Sequence, residues 1–498
     1  MNDAVNARLD RRGKMGNAGR LLSLIVLASS LLTVLGASAA FGAPRPGFTT
    51  DPGLSPNFGW NRSDYAVRCL DRAVKVRVKV PDGWRGRTDQ SGFRTRNFTV
   101  TRKLRAGVGF RVTFQSTDPS LGGSERSFHV RCIPADLAAF RFATYRKGTP
   151  RLTFVQMNGG YAVIFDRNGA PVWWFKTNGL PNNFQYMKDG TISYAPASGL
   201  TFRHYVVRTL NGRLVRRLTS AGDTTTDIHD LIRLPNGNYM LGAHRFVRGV
   251  NTRRYKGSAN STLDTTQIQE LTPGGKLVWK WDAWPRIKLS ESKRWWPKIR
   301  EIAITETGFD VHHWNSVAVR GRYMLLSFRH LDAVLRVDRR TKQIRWKLGG
   351  TRTAQSLRVR RDPAGRYPFG GQHDAQMAPN KSITLLDNSS FFEKKPRAVR
   401  YQIDRRKRTA TLIDQVRDPR VIFSLGFASA RLQPSGEWLI DWGVVGANGL
   451  IGTYKNGRPI SRLLTPGGTS YRATVPSGPK PSIERLRQAM DDMARDHR

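Results

Sequence analysis

Apolar and polar positions alternate strictly in the first half of the unit spanning residues 61–137. In the run Val74–Val80, valines at 74, 76, 78 and 80 are separated by Lys75, Arg77 and Lys79. A half-buried strand needs that period of two. Asn97–Leu104, Phe110–Ser116 and Ser127–Ile133 follow the same rule, with glycine-bearing turns nearby. Short strands punctuated this way predict a small β-sandwich over 61–137. Upstream, residues 44–60 are rich in Pro, Gly and polar side chains, and read as a linker.

From residue 138 to 478 the pattern becomes a repeat of about 55 residues, the length of a propeller blade. Each unit has a strand, a Gly or Asn turn, a strand with an aromatic, a further turn and a strand ending in Trp. Leu234–Leu241, Val319–Leu326 and Leu432–Ile440 match one another as one part of the unit. Phe165–Trp173, Leu271–Trp279 and Val337–Trp346 match as the other. The length of the region gives six units, with five or seven also compatible. Insertions at 246–264 and 282–309 lengthen the third and fourth. The second insertion carries Trp284, Trp295 and Trp296, which either shape a mouth over the channel or pack on a blade edge. The expected fold is therefore all-β: a six-bladed β-propeller preceded by a small β-sandwich.

The two ends differ from this. Ile483, Leu486, Met490 and Met493 share one helical face behind the N-cap candidate Ser482, which predicts a C-terminal helix within 479–498. At the other end, Arg8, Arg11, Arg12, Lys14 and Arg20 precede an apolar run from Leu21 to Leu35. Ala37-Ser38-Ala39 follows, an A-x-A cleavage pattern. Residues 1–43 thus read as an export signal peptide or, uncleaved, as a signal anchor. Export makes one disulfide between the only two cysteines, Cys69 and Cys132, the simplest pairing. A sulfatase-type Cys-x-Pro-x-Arg site is excluded, because Asp136 stands where the arginine belongs.

Charge changes the picture less than its size suggests. Lys and Arg number 83 against 37 acids, a formal net charge of +46. Such a charge favours anionic partners. The basic residues, however, alternate with apolar ones along the strands, as on a solvated face. No nucleic-acid-binding pattern accompanies them.

The candidate chemistry lies in the histidines, of which there are nine. His229, His313 and His373 each stand just before a β-type run, at similar points of successive repeats. Arg329 follows His313 in the same repeat. In a propeller such positions converge on the central channel, so these groups predict a site for an anionic group. Asp230 and Asp374 adjoin two of the histidines and either orient an imidazole or cap turns. His204, His244, His312 and His330 are assigned to the surface or to a supporting layer.

Four segments resemble the bacterial aryl sulfotransferase family: Asp227-x-His229-Asp230-Leu231, His313-x-Asn315-Ser316-Val317, Ser327-x-Arg329 with Asp332-Ala333-Val334, and Gln372-His373. The resemblance implies an exported six-bladed propeller that moves a sulfuryl group from a phenolic sulfate ester to a phenol through a sulfohistidine, without phosphoadenosine phosphosulfate. It makes His373 the nucleophile and His229, His313, Asn315 and Arg329 the groups that bind and stabilise the sulfuryl oxygens. It implies small-molecule donor and acceptor, no cofactor, no metal and no nucleic acid, and leaves a membrane anchor and a homodimer open. Two other readings compete. One is a non-catalytic propeller binding an anionic ligand or cell-wall polymer. The other is a metal- or quinone-dependent propeller enzyme, for which a carboxylate cluster beside the histidines is expected and none is apparent.

Overall fold

The computed structural model describes residues 44–69, 73–118, 125–148, 150–197, 204–303, 308–365, 367–446, 448–468, 470–476 and 478–496. Residues 1–43, where the sequence predicts an export signal or anchor, lie outside them. Among the described residues no helix is long and apolar enough to cross a membrane.

The alternation in the N-terminal region produces the strands it predicts. Ala73–Lys79 buries Val74, Val76 and Val78 and exposes the residues between them. It is the middle strand of a three-stranded antiparallel sheet with Gly47–Asp51 and Phe98–Lys103. A five-stranded sheet runs in the order Leu54–Ser55, Asp64–Val67, Glu125–Cys132, Gly109–Ser116, Trp84–Thr88. Residues of both sheets share one apolar core. Residues 44–60 are therefore not a linker. Phe48 is buried, Phe58 packs 5.2 Å from Phe128, and Trp60 packs 5.4 Å from Trp84. Packing one buried and two half-buried aromatics onto the core outweighs the turn-forming composition of this stretch. Cys69 and Cys132 are bonded, with Cα atoms 5.7 Å apart, across a separation of 63 residues. Closing such a loop stabilises the fold by about 4 kcal/mol in the chain-entropy model. The bond fits an oxidising, exported environment.

Among the described residues beyond 140, six sheets follow one another along the chain, antiparallel except where Phe309–Asp310 and Arg358–Arg360 each add a parallel pair. They contain, in turn, the strands Leu152–Met157, Leu180–Tyr186, Thr225–Arg233, Trp314–Arg320, His373–Ala378 and Ser429–Leu432. Each of the first five of these strands neighbours the next one named. The ends of the region interlock. Ala473–Thr474, from late in the chain, pairs with Leu152–Met157 of the first sheet. Arg141–Thr144, from before that sheet, pairs with Arg458–Pro466 of the last. The recurrent tryptophans tie sheet to sheet: Trp173 Nε1 donates to Leu210 O at 2.9 Å, and Trp281 Nε1 to Lys342 O at 3.0 Å.

The C-terminal helix spans Ile483–Asp496, and Ser482 Oγ accepts from the Arg485 N–H at 3.1 Å. Its apolar face buries Leu486, Ala489 and Met490 in the core of the first sheet. Arg487 forms two bonds to the Asp64 carboxylate, at 2.7 and 2.8 Å, tying the helix to the N-terminal region.

Candidate functional site

The three histidines stand where the innermost strands lose regular register. Pairing shifts between Thr226 and Leu231, between Trp314 and Ser316, and between His373 and Gln376. His313 and Asp374 adopt left-handed backbone, with φ of 47° and 53°. Such bulges re-aim side chains out of the strand's alternation. The result is convergence: the His229 ring centroid lies 5.0 Å from that of His313 and 6.1 Å from that of His373. These residues come from three successive sheets.

His373 is 2% exposed. Its Nδ1 lies 2.7 Å from the Ala428 carbonyl, which can only accept, so Nδ1 carries the proton. Nε2 is then the lone-pair nitrogen, and it has no hydrogen-bond partner among the described residues. Burial, reinforced by the nearby Arg472 and His229, holds this imidazole well below its ordinary pKa. A neutral ring with a fixed tautomer and a bare nitrogen is the outcome.

The other two histidines are paired with carboxylates. His229 Nδ1 lies 2.6 Å from Asp227 Oδ1, and the His229 N–H donates to the same oxygen at 2.8 Å. His313 repeats the device three residues from its acid: its N–H donates to Asp310 Oδ1 at 2.9 Å and its Nδ1 meets Asp310 Oδ2. Each acid therefore fixes both the turn and the ring, and leaves Nε2 as the group each ring can offer. Asp230 and Asp374 do neither of the jobs expected of them. Asp230 accepts from the Val317 N–H and pairs with Arg472, and Asp374 forms two 2.9 Å bonds with Arg431.

Carboxylates do lie beside the histidines, in contrast to the sequence reading. His244 is no bystander either: its Nδ1 lies 2.9 Å from Asp264 and its Nε2 3.7 Å from Asp227. Burial would lower this imidazole, but the two carboxylates outweigh it and raise it to about 10. Burial likewise works against the Asp227 anion, yet His229 and His244 together hold it at about 2. His330 is buried, with its ring 4.7 Å from that of His313 and its Nδ1 on the Asp310 carbonyl at 2.7 Å. Burial pushes it down to about 3, and His312 to about 4. His204 is half-buried at the margin of a sheet, while His244, His312 and His330 lie in the supporting layer that the sequence reading allowed for them.

Arg329 opens a short turn after the second strand of the fourth sheet, and its N–H donates to the His313 carbonyl at 2.9 Å. Its guanidinium lies 5.1 Å from the Trp295 ring and donates to Leu425 O at 2.9 Å. Burial lowers it to about 10, which leaves it cationic at neutral pH. Gly426 makes this approach feasible, since a Cβ there would sit 3.0 Å from Arg329 Nη1. The aromatic insertion packs inward at one end and on the flank at the other. Trp295 reaches the site, 4.7 Å from His330, while Trp296 stacks 4.3 Å from Tyr255 on the flank.

Sequence reasoning missed Arg472 and Tyr471. Arg472 is buried and joins four sheets: it contacts Asn183 Oδ1 at 3.1 Å, Asp230 at 3.2 Å, the Asn315 carbonyl and Asp374 at 3.7 Å. Tyr471 donates to the His229 carbonyl at 3.0 Å, with its ring 5.5 Å from that of His373. Both belong to the segment that closes the ring of sheets, a role no local motif announces. Asn315 is fully buried, and its amide nitrogen is committed to Gln372 O at 2.7 Å, one residue before His373.

Asp310, His313 and His330 have potential ligand atoms within 4.8 Å of one another. In this arrangement both Nδ1 atoms are already spent on Asp310, one on its carboxylate and one on its carbonyl. The cluster orients two imidazoles rather than presenting three free donors.

A family model described as Arylsulfotransferase (ASST) matches residues 142–474, two thirds of the chain. No curated protein matches. Solved structures match weakly. A Bacteroides caccae protein of unknown function is 10% identical, covering 65% of this chain and 98% of that one, with a TM-score of 0.41. The β-propeller domain of Myceliophteria thermophila Cps50 (Swd1) is 9% identical, covering 67% and 88%, with a TM-score of 0.37. Apo AztD from Citrobacter koseri is 10% identical, covering 66% and 98%, with a TM-score of 0.33.

Proposed function

Because the chain belongs to the arylsulfotransferase family, we propose that it transfers a sulfuryl group from a phenolic sulfate ester to a phenolic acceptor by way of His373, without phosphoadenosine phosphosulfate. The six sheets are the blades of a six-bladed propeller, and the two N-terminal sheets form a disulfide-stapled sandwich. The exported protein meets small-molecule donors and acceptors. The observation that carries the reading is His373 itself, with Nδ1–H on the Ala428 carbonyl and Nε2 unpartnered among the described residues, beside His229.

In the first half-reaction the His373 Nε2 lone pair attacks sulfur. The N–S bond forms as the S–O bond to the aryl group breaks, and the electron pair leaves with the phenolate. Arg329 and the carboxylate-paired His229 and His313 stabilise the charge on the sulfuryl and leaving oxygens. One of these two rings, with Nδ1–H on Asp227 or Asp310, gives up its Nε2–H to the phenolate. That ring is then neutral and takes the proton from the acceptor phenol. The acceptor oxygen attacks sulfur, the N–S bond breaks, and its electron pair returns to Nε2. Arg472 and Asn315 act at one remove, by fixing the strands that carry His229, His313 and His373.

With 4-nitrophenyl sulfate as donor, nitrophenol release should depend on added phenol. Because His373 is held neutral, the acid limb of kcat/KM should lie below the ordinary imidazole value of 6.5. A folded protein that turns over no aryl sulfate would leave the anion-binding alternative in its place.

A further inference from the structure

Arg329 and His373 come from different sheets, yet both donate to one short segment of a third. Arg329 Nη2 meets Leu425 O at 2.9 Å, and His373 Nδ1 meets Ala428 O at 2.7 Å. The segment 425–428 leads directly into the strand Ser429–Leu432. In an extended chain, carbonyls three residues apart face opposite edges. Here both face one site.

The backbone shows how. Phe427 and Ala428 are consecutive non-glycine residues in the left-handed region, with φ of 61° and 90°. Residues with a Cβ avoid that region, and a bulky aromatic there is an outlier. Such a conformation persists only where its surroundings enforce it, and it gathers at functional sites.

The surroundings do enforce it. The Leu425 N–H donates to Val444 O at 3.3 Å, the Val444 N–H to Gly426 O at 3.2 Å, and the Ala428 N–H to Tyr471 O at 3.0 Å. From the side, Asn388 Nδ2 donates to Ser424 Oγ at 2.8 Å and reaches Phe427 O at 3.4 Å. The Phe427 ring packs edge-on against Tyr471, with centroids 5.1 Å apart. Gly443 approaches so closely that a Cβ on it would collide with Gly426 O. Ala428 is fully buried.

We propose that residues 425–428 form a positioning strap: the left-handed backbone of Phe427 and Ala428 holds His373 in its Nδ1–H tautomer and fixes where Nε2 stands relative to the Arg329 guanidinium. The assignment rests on the sulfuryl-transfer reading. Phe427 and Ala428 are positioning residues, acting through the two groups that meet the sulfuryl group. Attack on sulfur needs the nitrogen and the cation set in place before the donor arrives, and a displacement of about 1 Å costs about 10²-fold in rate. A His373 ring without its Ala428 acceptor would sample both neutral tautomers. The tautomer with Nε2–H has no lone pair there for sulfur.

The test changes the residue at the strained position. Phe427→Val places a β-branched side chain where it resists positive φ. Phe427→Gly removes the same ring but accepts that backbone freely. With 4-nitrophenyl sulfate and phenol, Phe427→Val should lower kcat by about 10²-fold and Phe427→Gly by less than about tenfold, with KM for the donor within about threefold in both. Equal losses, or a larger loss in Phe427→Gly, would mean that the ring matters and the backbone does not, and would overturn the strap. Nitrogen NMR of the resting protein with labelled histidine reads the tautomer without any turnover, and His373→Asn assigns the signal. Wild type and Phe427→Gly should show one neutral His373 ring protonated at Nδ1, and Phe427→Val a mixture. A mixed wild type, or a wild-type ring in Phe427→Val, overturns the strap whether or not sulfuryl groups are transferred. A single wild-type tautomer that Phe427→Val scrambles, in a protein that turns over no aryl sulfate, sustains the strap and sinks the transfer reading. Where Phe427→Val does not fold, Asn388→Ala decides. Loss of that side anchor should lower kcat by about tenfold and admit the second tautomer, and an unchanged enzyme overturns the strap.

Discussion

His373→Ala is expected to abolish transfer from 4-nitrophenyl sulfate, by about 10⁴-fold or more, because the substitution removes the nitrogen that accepts the sulfuryl group in the proposed mechanism. The alanine also strands the Ala428 carbonyl, which His373 Nδ1 now satisfies, at a cost of about 1–3 kcal/mol in stability. His373→Asn separates the two effects. An asparagine amide can still donate to Ala428 O but has no nucleophilic nitrogen. It should keep a near wild-type melting temperature and be as inactive as alanine. An asparagine variant with substantial turnover would mean that His373 only supports the site, and that another group receives the sulfuryl.

Arg329→Ala should come next, lowering kcat by about 10²- to 10³-fold. Among the described residues its guanidinium makes one hydrogen bond, to a neutral carbonyl, and has no carboxylate within ion-pair distance, so donors remain free. Arg472, by contrast, is spent on Asp230 and Asp374. Arg329→Lys should recover part of the loss, as a point charge without the planar fork. His330→Ala should cost far less, since His330 is buried beneath His313 and neutral, with its Nδ1 on the Asp310 carbonyl. Steady-state kinetics on the three variants decide the matter. Equal losses in Arg329→Ala and His330→Ala would place the oxyanion-stabilising charge elsewhere.

Much of this site was legible because a propeller turns sequence period into spatial convergence. His229, His313 and His373 stood out as rare residues at matching points of a repeat, and the repeats became adjoining sheets. What escaped was everything whose position depends on closure of the ring. Arg472 is one of 83 basic residues, and nothing nearby marks it. It becomes central only when Ala473–Thr474 pairs with the first sheet and carries it inward. The orienting acids were missed for a different reason. Attention fell on Asp230 and Asp374 as direct neighbours of histidines, but in an extended strand adjacent side chains face opposite ways. Asp227 and Asp310, two and three residues upstream, can fold back onto the ring. His244 lies on a second strand, and only sheet pairing brings it to Asp227. In residues 44–60, composition spoke for a linker, while Phe48, Phe58 and Trp60 supplied enough apolar surface to join the core.

The central claim is that His373 carries the sulfuryl group between donor and acceptor. The direct measurement is to mix the protein with 4-nitrophenyl sulfate in the absence of any phenol, quench at alkaline pH, and map the modification by peptide mass spectrometry. The account predicts a stoichiometric burst of nitrophenol and one added sulfuryl group on the peptide containing His373, discharged on addition of phenol. A burst with the sulfuryl group on another residue, or phenol-dependent turnover with no modified enzyme at any time, would contradict it.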